Sequence, residues 1–392
     1  VTGDSPVTGV TGKGYFLNTT AGTITLNLPA GSAGDIISMA DYAATWNTNN
    51  VTVSPNGAEK IGGVNASVIL DTQGQSVTLV YVDSTQGWVN TMDSTSNVRG
   101  NEFMVTTVSG ACNTLATAPC CANTKIATFF GPGTFCVSQV HPCAANNLVS
   151  YMVVAGGGGA GMSGGGGAGG GAGGFREYKS PVTPYTSSPL DGNPGGTAIT
   201  VSASPYAITV GGGGPGTGVG GSGADSIFST ITSTGGGIAG TEGVKAGGPG
   251  GSGGGGGYNP STAGCGNTPP VSPSQGNDGG GSGGGSPGYS GSGGGGASVS
   301  GTAGGPTVGG NGGNGVASSI NASPVTRAGG GGGGSRSSPG TAGLGGGGTG
   351  AAGSGNPGNS GTINTGGGAG GGADCVGGAG GSGIVIIRYK FQ

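Results

Sequence analysis

The residues most able to do chemistry in this chain are seven cysteines and one histidine, His141. Five of the cysteines, Cys112, Cys120, Cys121, Cys136 and Cys143, crowd into residues 112–143, and Cys265 and Cys375 lie far downstream. The adjacent pair Cys120-Cys121 lacks the C-x₂-C spacing of a structural zinc site. All seven are therefore disulfide candidates, which suits an oxidising exterior. An odd count leaves one thiol free or paired between chains, and spacing leaves the connectivity open. Acid–base chemistry is poorly provided for. Asp35 and Asp41 read as solvated surface. Matches to G-x-G-x-x-G arise wherever glycine is this dense, and no helix follows them to hold a phosphate. No catalytic, cofactor-binding or metal residues are expected, and the chain reads as a non-enzyme.

Recognition is the chemistry left. Two long inserts carry aromatic, amide and hydroxyl groups stiffened by proline: Ser180–Pro194, with Tyr185, and Tyr258–Gln275, which opens on Tyr258-Asn259-Pro260. A tyrosine offers a flat apolar face plus one orienting hydroxyl, and loops on a rigid scaffold commonly do the binding. Tyr185, Tyr258 and Asn259 are the candidate receptor contacts.

The elements that must position these loops are unusual. Of 392 residues 107 are glycine, 16 before residue 151 and 91 after it. Only 6% of residues are charged and the net charge is −3. No basic stripe exists, so nucleic acid is not an expected partner. No apolar run approaches the length that spans a bilayer, and no charged-then-apolar leader opens the chain, so a protein working outside cells either lost a leader or left by another route. Asn18-Thr19-Thr20 and Asn65-Ala66-Ser67 fit the glycosylation pattern, a pattern short enough to arise often by chance.

Residues 1–98 read as a sandwich-like all-β domain. Thr23–Leu28 and Ser76–Val82 alternate with period two, and Tyr15–Asn18, Asp35–Met39, Val51–Val53 and Val68–Leu70 are shorter strands. Trp46 and Trp88 are assigned to its core. Residues 99–150 read as a Cys-rich β connector in which Ile126–Phe130 and Thr134–Val137 form a hairpin across Gly131-Pro132-Gly133. Residues 151–392 read as a glycine-rich domain. Runs of Gly-Gly-Gly disfavour α-helix, and the absence of a Gly-X-Y period excludes collagen. What remains is the extended polyglycine II-type helix, three residues per turn, bonding N–H to C=O between neighbours. Ala and Ser within runs are expected on outer faces or at wider contacts. The apolar strands Tyr151–Val154 and Ile384–Ile387 are expected side by side, clasping the bundle.

Tyr151-Met152-Val153-Val154-Ala155 before Gly156–Gly159 is similar to the opening of glycine-rich domains in fibres and adhesins of tailed bacteriophages. Phe129–Phe135 resembles the hairpin before that strand, Ala198–Val201 with Ala207–Gly212 an internal hairpin, Ser226–Ser229 with Thr234–Gly237 the next segment, and Gly380–Tyr389 the closing strand. Gly14-Tyr15-Phe16, Leu26–Ala30, Asp41-Tyr42-Ala43, Val80–Asp83 and Gln86-Gly87-Trp88 resemble a module of marine phage structural proteins. The cysteine cluster and Cys265 depart from that pattern. The resemblance implies a virion fibre or receptor-binding subunit, commonly a homotrimer, that joins other virion proteins and contacts a host glycan or protein without inserting into the membrane. A secreted ice-binding or other extracellular glycine-rich surface protein is the alternative. The expected fold is an all-β N-terminal domain followed by packed polyglycine II-type helices clasped by β-strands, with little or no α-helix.

Overall fold

The computed structural model describes residues 1–94, 104–119, 121–140, 144–161, 163–241, 246–258, 260–287 and 289–391. The chain divides into two compact units, Val1–Asn101 and Glu102–Gln392. The second unit takes in the cysteine-rich segment from Glu102 onward.

The first unit is all-β. One sheet runs β1 (Val7–Thr8), β3 (Ile24–Asn27), β5 (Val51–Ser54), β6 (Val68–Leu70). The other runs β2 (Lys13–Leu17), β4 (Ile36–Asp41), β7 (Ser76–Asp83), β8 (Gly87–Ser94). From β2 to β5 the chain alternates between the sheets, so β3 and β5 are parallel, as are β2 and β4. Period-two patterning turns Ile24, Leu26, Val51, Val53, Val77 and Leu79 inward. Trp46 and Trp88 fill the centre, fully buried. Their indole N–H groups donate to Leu17 O and to the Glu59 carboxylate, each at 3.3 Å. Asp41, expected on the surface, is instead buried. Its carboxylate accepts the backbone N–H groups of Thr45, Trp46 and Gly74 at 3.0–3.1 Å, tying two loops together.

In the second unit, two sheets enclose an aromatic core. One is ordered β10 (Thr114–Ala118), β11 (Cys121–Phe129), β21 (Ile384–Lys390), β13 (Leu148–Val154), β14 (Phe175–Tyr178), with β15 (Ile199–Thr200) also on β13. The other is ordered β18 (Ile231–Ser233), β17 (Ser226–Phe228), β16 (Pro205–Thr209), β12 (Gly133–Gln139), β9 (Val105–Val108). A short pair, β19 (Val316–Ser318) and β20 (Val325–Arg327), stands apart. The clasp forms as expected: β13 and β21 pair antiparallel, Tyr151 opposite Ile387 and Val154 opposite Ile384. Both strands are central and buried on both faces, which is why they read as unbroken apolar runs. Phe129, Phe135, Tyr151, Phe228 and Tyr389 fill one side, and Met152, Val154, Phe175, Ile320 and Ile386 the other.

Two expected hairpins are not hairpins. β11 pairs with β10 and β21, whereas β12 pairs with β9 and β16, so Gly131-Pro132-Gly133 is an arch between sheets. Likewise β15 joins β13 while β16 joins β12 and β17. A turn signal marks where a chain reverses, and sheet partners farther away decide whether the flanking strands meet.

Beyond the clasp the glycine runs pack as a lattice. Ala155, Gly156 and Gly157 donate to Gly174, Ala224 and Gly381, on three different neighbours, at 2.9–3.0 Å. Gly158, Gly159 and Ala160 repeat the cycle to Gly171, Gly221 and Gly378 at 2.8–3.0 Å. Donors advance by three as acceptors retreat by three, the signature of antiparallel helices with three residues per turn. Run 166–174 is enclosed on all sides. It donates to residues 366–372, 234–240 and 289–295 and accepts from residues 155–158, 252–255 and 331–334. At these contacts side chains have no room: a Cβ on Gly294 would strike the Gly170 carbonyl oxygen. The alanines depart from expectation. Ala160, Ala168, Ala239 and Ala369, from four separate runs, are buried together as a methyl cluster inside the bundle. At an outer margin Asn311 and Asn314, three apart, accept the N–H groups of Thr341 and Leu344 at 2.9 and 3.0 Å in place of a missing neighbour.

Candidate functional site

Register fixes which loops share an end. The run after β13 leads away from the clasp, and run 166–174 returns to β14. Gly173 bonds to Gly366 and Gly167 to Gly372, so the residues just after 372 lie at the far end, the apex. Ser252 bonds to Ala172 and Gly255 to Gly169, which carries Tyr258 there too. The same reasoning places Tyr289, whose carbonyl accepts Gly166 N–H, and Arg336, which follows the bond from Gly334 to Gly167.

These apical side chains form one cluster. Tyr258 meets Tyr289 edge to face, with ring centres 5.7 Å apart. The Arg336 guanidinium lies 4.6 Å from the centre of the Tyr289 ring. It also grips Asp374 through Nε and Nη2, each at 2.7 Å, and donates from Nη2 to Gly164 O at 3.1 Å. This hydrogen bonding holds the Asp374 carboxyl below the usual carboxylate range and the guanidinium above its own. Gly165 lies against both tyrosines, where a Cβ would press on the Tyr258 ring and on the Tyr289 Cβ, each at 3.1 Å. Tyr289 and Asp374 have φ of +43° and +51°, left-handed values that cost a non-glycine residue energy. The apex thus spends backbone strain to hold two partly exposed tyrosine rings and a fixed guanidinium together.

Of the expected contacts, only Tyr258 belongs to this cluster, and Asn259 lies outside the described residues. Tyr185 is at the opposite end, against the clasp. Its hydroxyl is buried, and its ring packs with the apolar layer beneath Arg388, 5.4 Å from the guanidinium. Burial, reinforced by the Glu177 charge, holds its hydroxyl far above the ordinary tyrosine range. This is a structural position. Arg388, fully buried, donates to Pro184 O at 2.9 Å and Ile320 O at 3.2 Å, pinning two inserts onto the sheet. Beside it burial raises the Glu177 carboxyl and pushes Arg327 down to about 10. Tyr289, Arg336 and Asp374 were not legible as site residues. The available signal was the rarity of charge in the glycine-rich half.

Among the described residues Cys112, Cys136, Cys265 and Cys375 stand as free thiols, with no disulfide between any of them. Cys136 faces Thr107 and Pro205 across its two strand neighbours, so no cysteine is in register with it. Cys121 Sγ accepts from Arg388 Nη2 at 3.5 Å. Cys120, Cys143 and His141 lie outside the described residues. Among the described residues no three His, Cys, Asp or Glu gather as for a metal ion, and no helix is long and apolar enough to cross a membrane.

Residues 132–390 match the model of a family described as a glycine-rich domain. A stretch of this chain is also 34% identical over 105 residues to the baseplate wedge protein gp10 of Enterobacteria phage T4. That match spans 24% of this chain and 17% of the phage protein's length.

Proposed function

The chain belongs to the glycine-rich domain family, and from that premise we propose that it is a non-enzymatic structural subunit of a tailed-phage virion, whose apex contacts the host surface. The observation that carries this reading is the Tyr258–Tyr289–Arg336 cluster, held by strained backbone at Tyr289 at the end of a bundle whose helices are mostly glycine. Polyglycine helices offer a receptor only backbone, so discrimination falls to the loops they carry. Two tyrosine faces suit a sugar ring or an apolar protein patch, and Arg336, already neutralised by Asp374, adds donors without a strong net field. The likeness to a baseplate wedge protein supports a place among other virion proteins. Assembly as a homotrimer is part of the proposal and rests on the family resemblance.

The reading is tested by electron microscopy of intact virions labelled with an antibody to this chain. Label on a tail appendage is expected. Particles that carry no label, while the antibody recognises the purified chain, would remove the virion assignment.

A further inference from the structure

The first unit has an open flank. Among the described residues β6 bonds only to β5, while β8 pairs with β7 and, at Trp88 alone, with Lys60 and Gly62, so each lies at the edge of its sheet. A cavity of about 400 Å³ opens between these edges, lined by Val68, Ile69 and Leu70 of β6 and by Asn90 and Asp93 of β8. Its deeper walls include Met39, Val53, Val77 and Leu79 from the inner faces of the two sheets. Cavities of this size hold ligands, and close-packed interiors rarely leave such a space.

β6 is also an unguarded edge. Sheet edges are ordinarily protected by lysine, proline or a bulge. Val68, Ile69 and Leu70 provide none of these, and Val68 and Ile69 are 38% and 58% exposed. One acidic group lines the cavity and another adjoins β6 in the chain. Asp71 follows β6 directly, and Asp93 sits at the cavity on β8, where it accepts from Gln75 Nε2 at 3.0 Å. Among the described residues neither carboxylate is in an ion pair.

We propose that this flank receives an extended segment of another polypeptide, added as a strand along β6. Its alternate side chains, apolar, enter the cavity, and a lysine or arginine beside them meets Asp71 and Asp93. A free strand edge presents a row of N–H and C=O groups that only another backbone matches in register. A strand with period two supplies the apolar side chains on one face that the cavity accepts. The acidic margin sets the charge of the partner's flank. This inference does not depend on the virion reading and needs only an extended partner.

The test uses the full chain and a panel of short synthetic peptides. Each alternates Val or Ile with Thr and ends in Lys; controls carry the same residues shuffled, or Glu for Lys. Fluorescence anisotropy reads binding, and hydrogen exchange reads the protected amides. The Lys-ended alternating peptides are expected to bind, slowing exchange at β6. Ile69→Lys, which guards the edge, and Asp93→Lys, which reverses the flank charge, should each weaken binding roughly tenfold or more. Both are surface changes, and thermal melts should confirm intact folding. Equal binding by shuffled peptides, protection away from β6 and β8, or no binding by any peptide would overturn the proposal. So would a small apolar dye filling the cavity while every peptide fails.

Discussion

Arg336 sits over the Tyr289 ring, its guanidinium 4.6 Å from the ring centre, while both Nε and Nη2 hold Asp374 at 2.7 Å. Residues from three separate loops are thereby locked together at one end of the bundle. Lysine could keep the charge but neither fork the carboxylate nor stack on the ring. Arg336→Lys should therefore loosen the apex, seen as faster hydrogen exchange around residues 163–165 and 373–376, with little change in melting temperature. Unaltered exchange there would show that the fork does not order these loops.

Tyr258 and Tyr185 should behave differently because they lie at opposite ends. Tyr258→Ala and Tyr289→Ala should reduce adsorption to host cells at nearly unchanged melting temperature. Tyr185→Ala removes a ring packed beneath Arg388 and should lower the melting temperature instead. Full adsorption by both apical variants would place host recognition elsewhere.

Glycine in the bundle is a packing requirement at some positions and not at others. Gly294→Val drives a side chain into Gly170 O and should destabilise by about 1–3 kcal/mol or more. Gly212→Val is the control, since a Cβ there meets nothing within 4 Å. Equal melting of the two variants would dismiss the close-approach argument.

The aromatic core predicts a conventional truncation penalty. Phe228 is fully buried, its ring centre 6.4 Å from that of Phe135 and 6.0 Å from that of Tyr151. Phe228→Ala should cost about 3–5 kcal/mol, as large-to-small core changes do. Phe16→Ala, at a position 77% exposed, should be close to neutral. Denaturant melts of both variants check this, and a similar loss at the two positions would contradict it.

Alkaline pH should expose the buried tyrosines. Burial raises Tyr151 to about 12 and moves Tyr178 and Tyr185 in the same direction. An acid raised on folding contributes stability that is complete below its unfolded value of 10 and is lost as pH climbs through its folded value. Arg327, pushed down to about 10, acts the other way, gaining stability between its folded value and its ordinary 12.5 and partly offsetting the loss. The net expectation is falling stability above pH 10. Phenolate absorbance should show a late component near pH 12 that Tyr151→Phe removes. All ten tyrosines of the chain titrating together near pH 10 would contradict the burial of Tyr151.

What the sequence determined by itself was conformational. Unbroken apolar runs at Tyr151–Val154 and Ile384–Ile387 demand strands covered on both faces, and they pair in the structure. Glycine at such density, without a collagen period, leaves three-residue helices that bond to one another. Trp46 and Trp88, read from the sequence as core residues with a binding site as the rival reading, are fully buried in the structure. Only the tertiary structure decided partners and register. Gly131-Pro132-Gly133 has the same local chemistry whether it closes a hairpin or arches between sheets, and β16 and β21 made that choice by supplying the bonds. Ala160 and Ala369 meet inside the bundle because the runs that carry them lie side by side. Tyr258, Tyr289, Arg336 and Asp374 converge for the same reason. Runs of glycine are nearly identical as hydrogen-bonding surfaces, so no side-chain code written in one run names its neighbour. The packing of the whole bundle, anchored at the β13–β21 clasp, sets which loops arrive together at the apex.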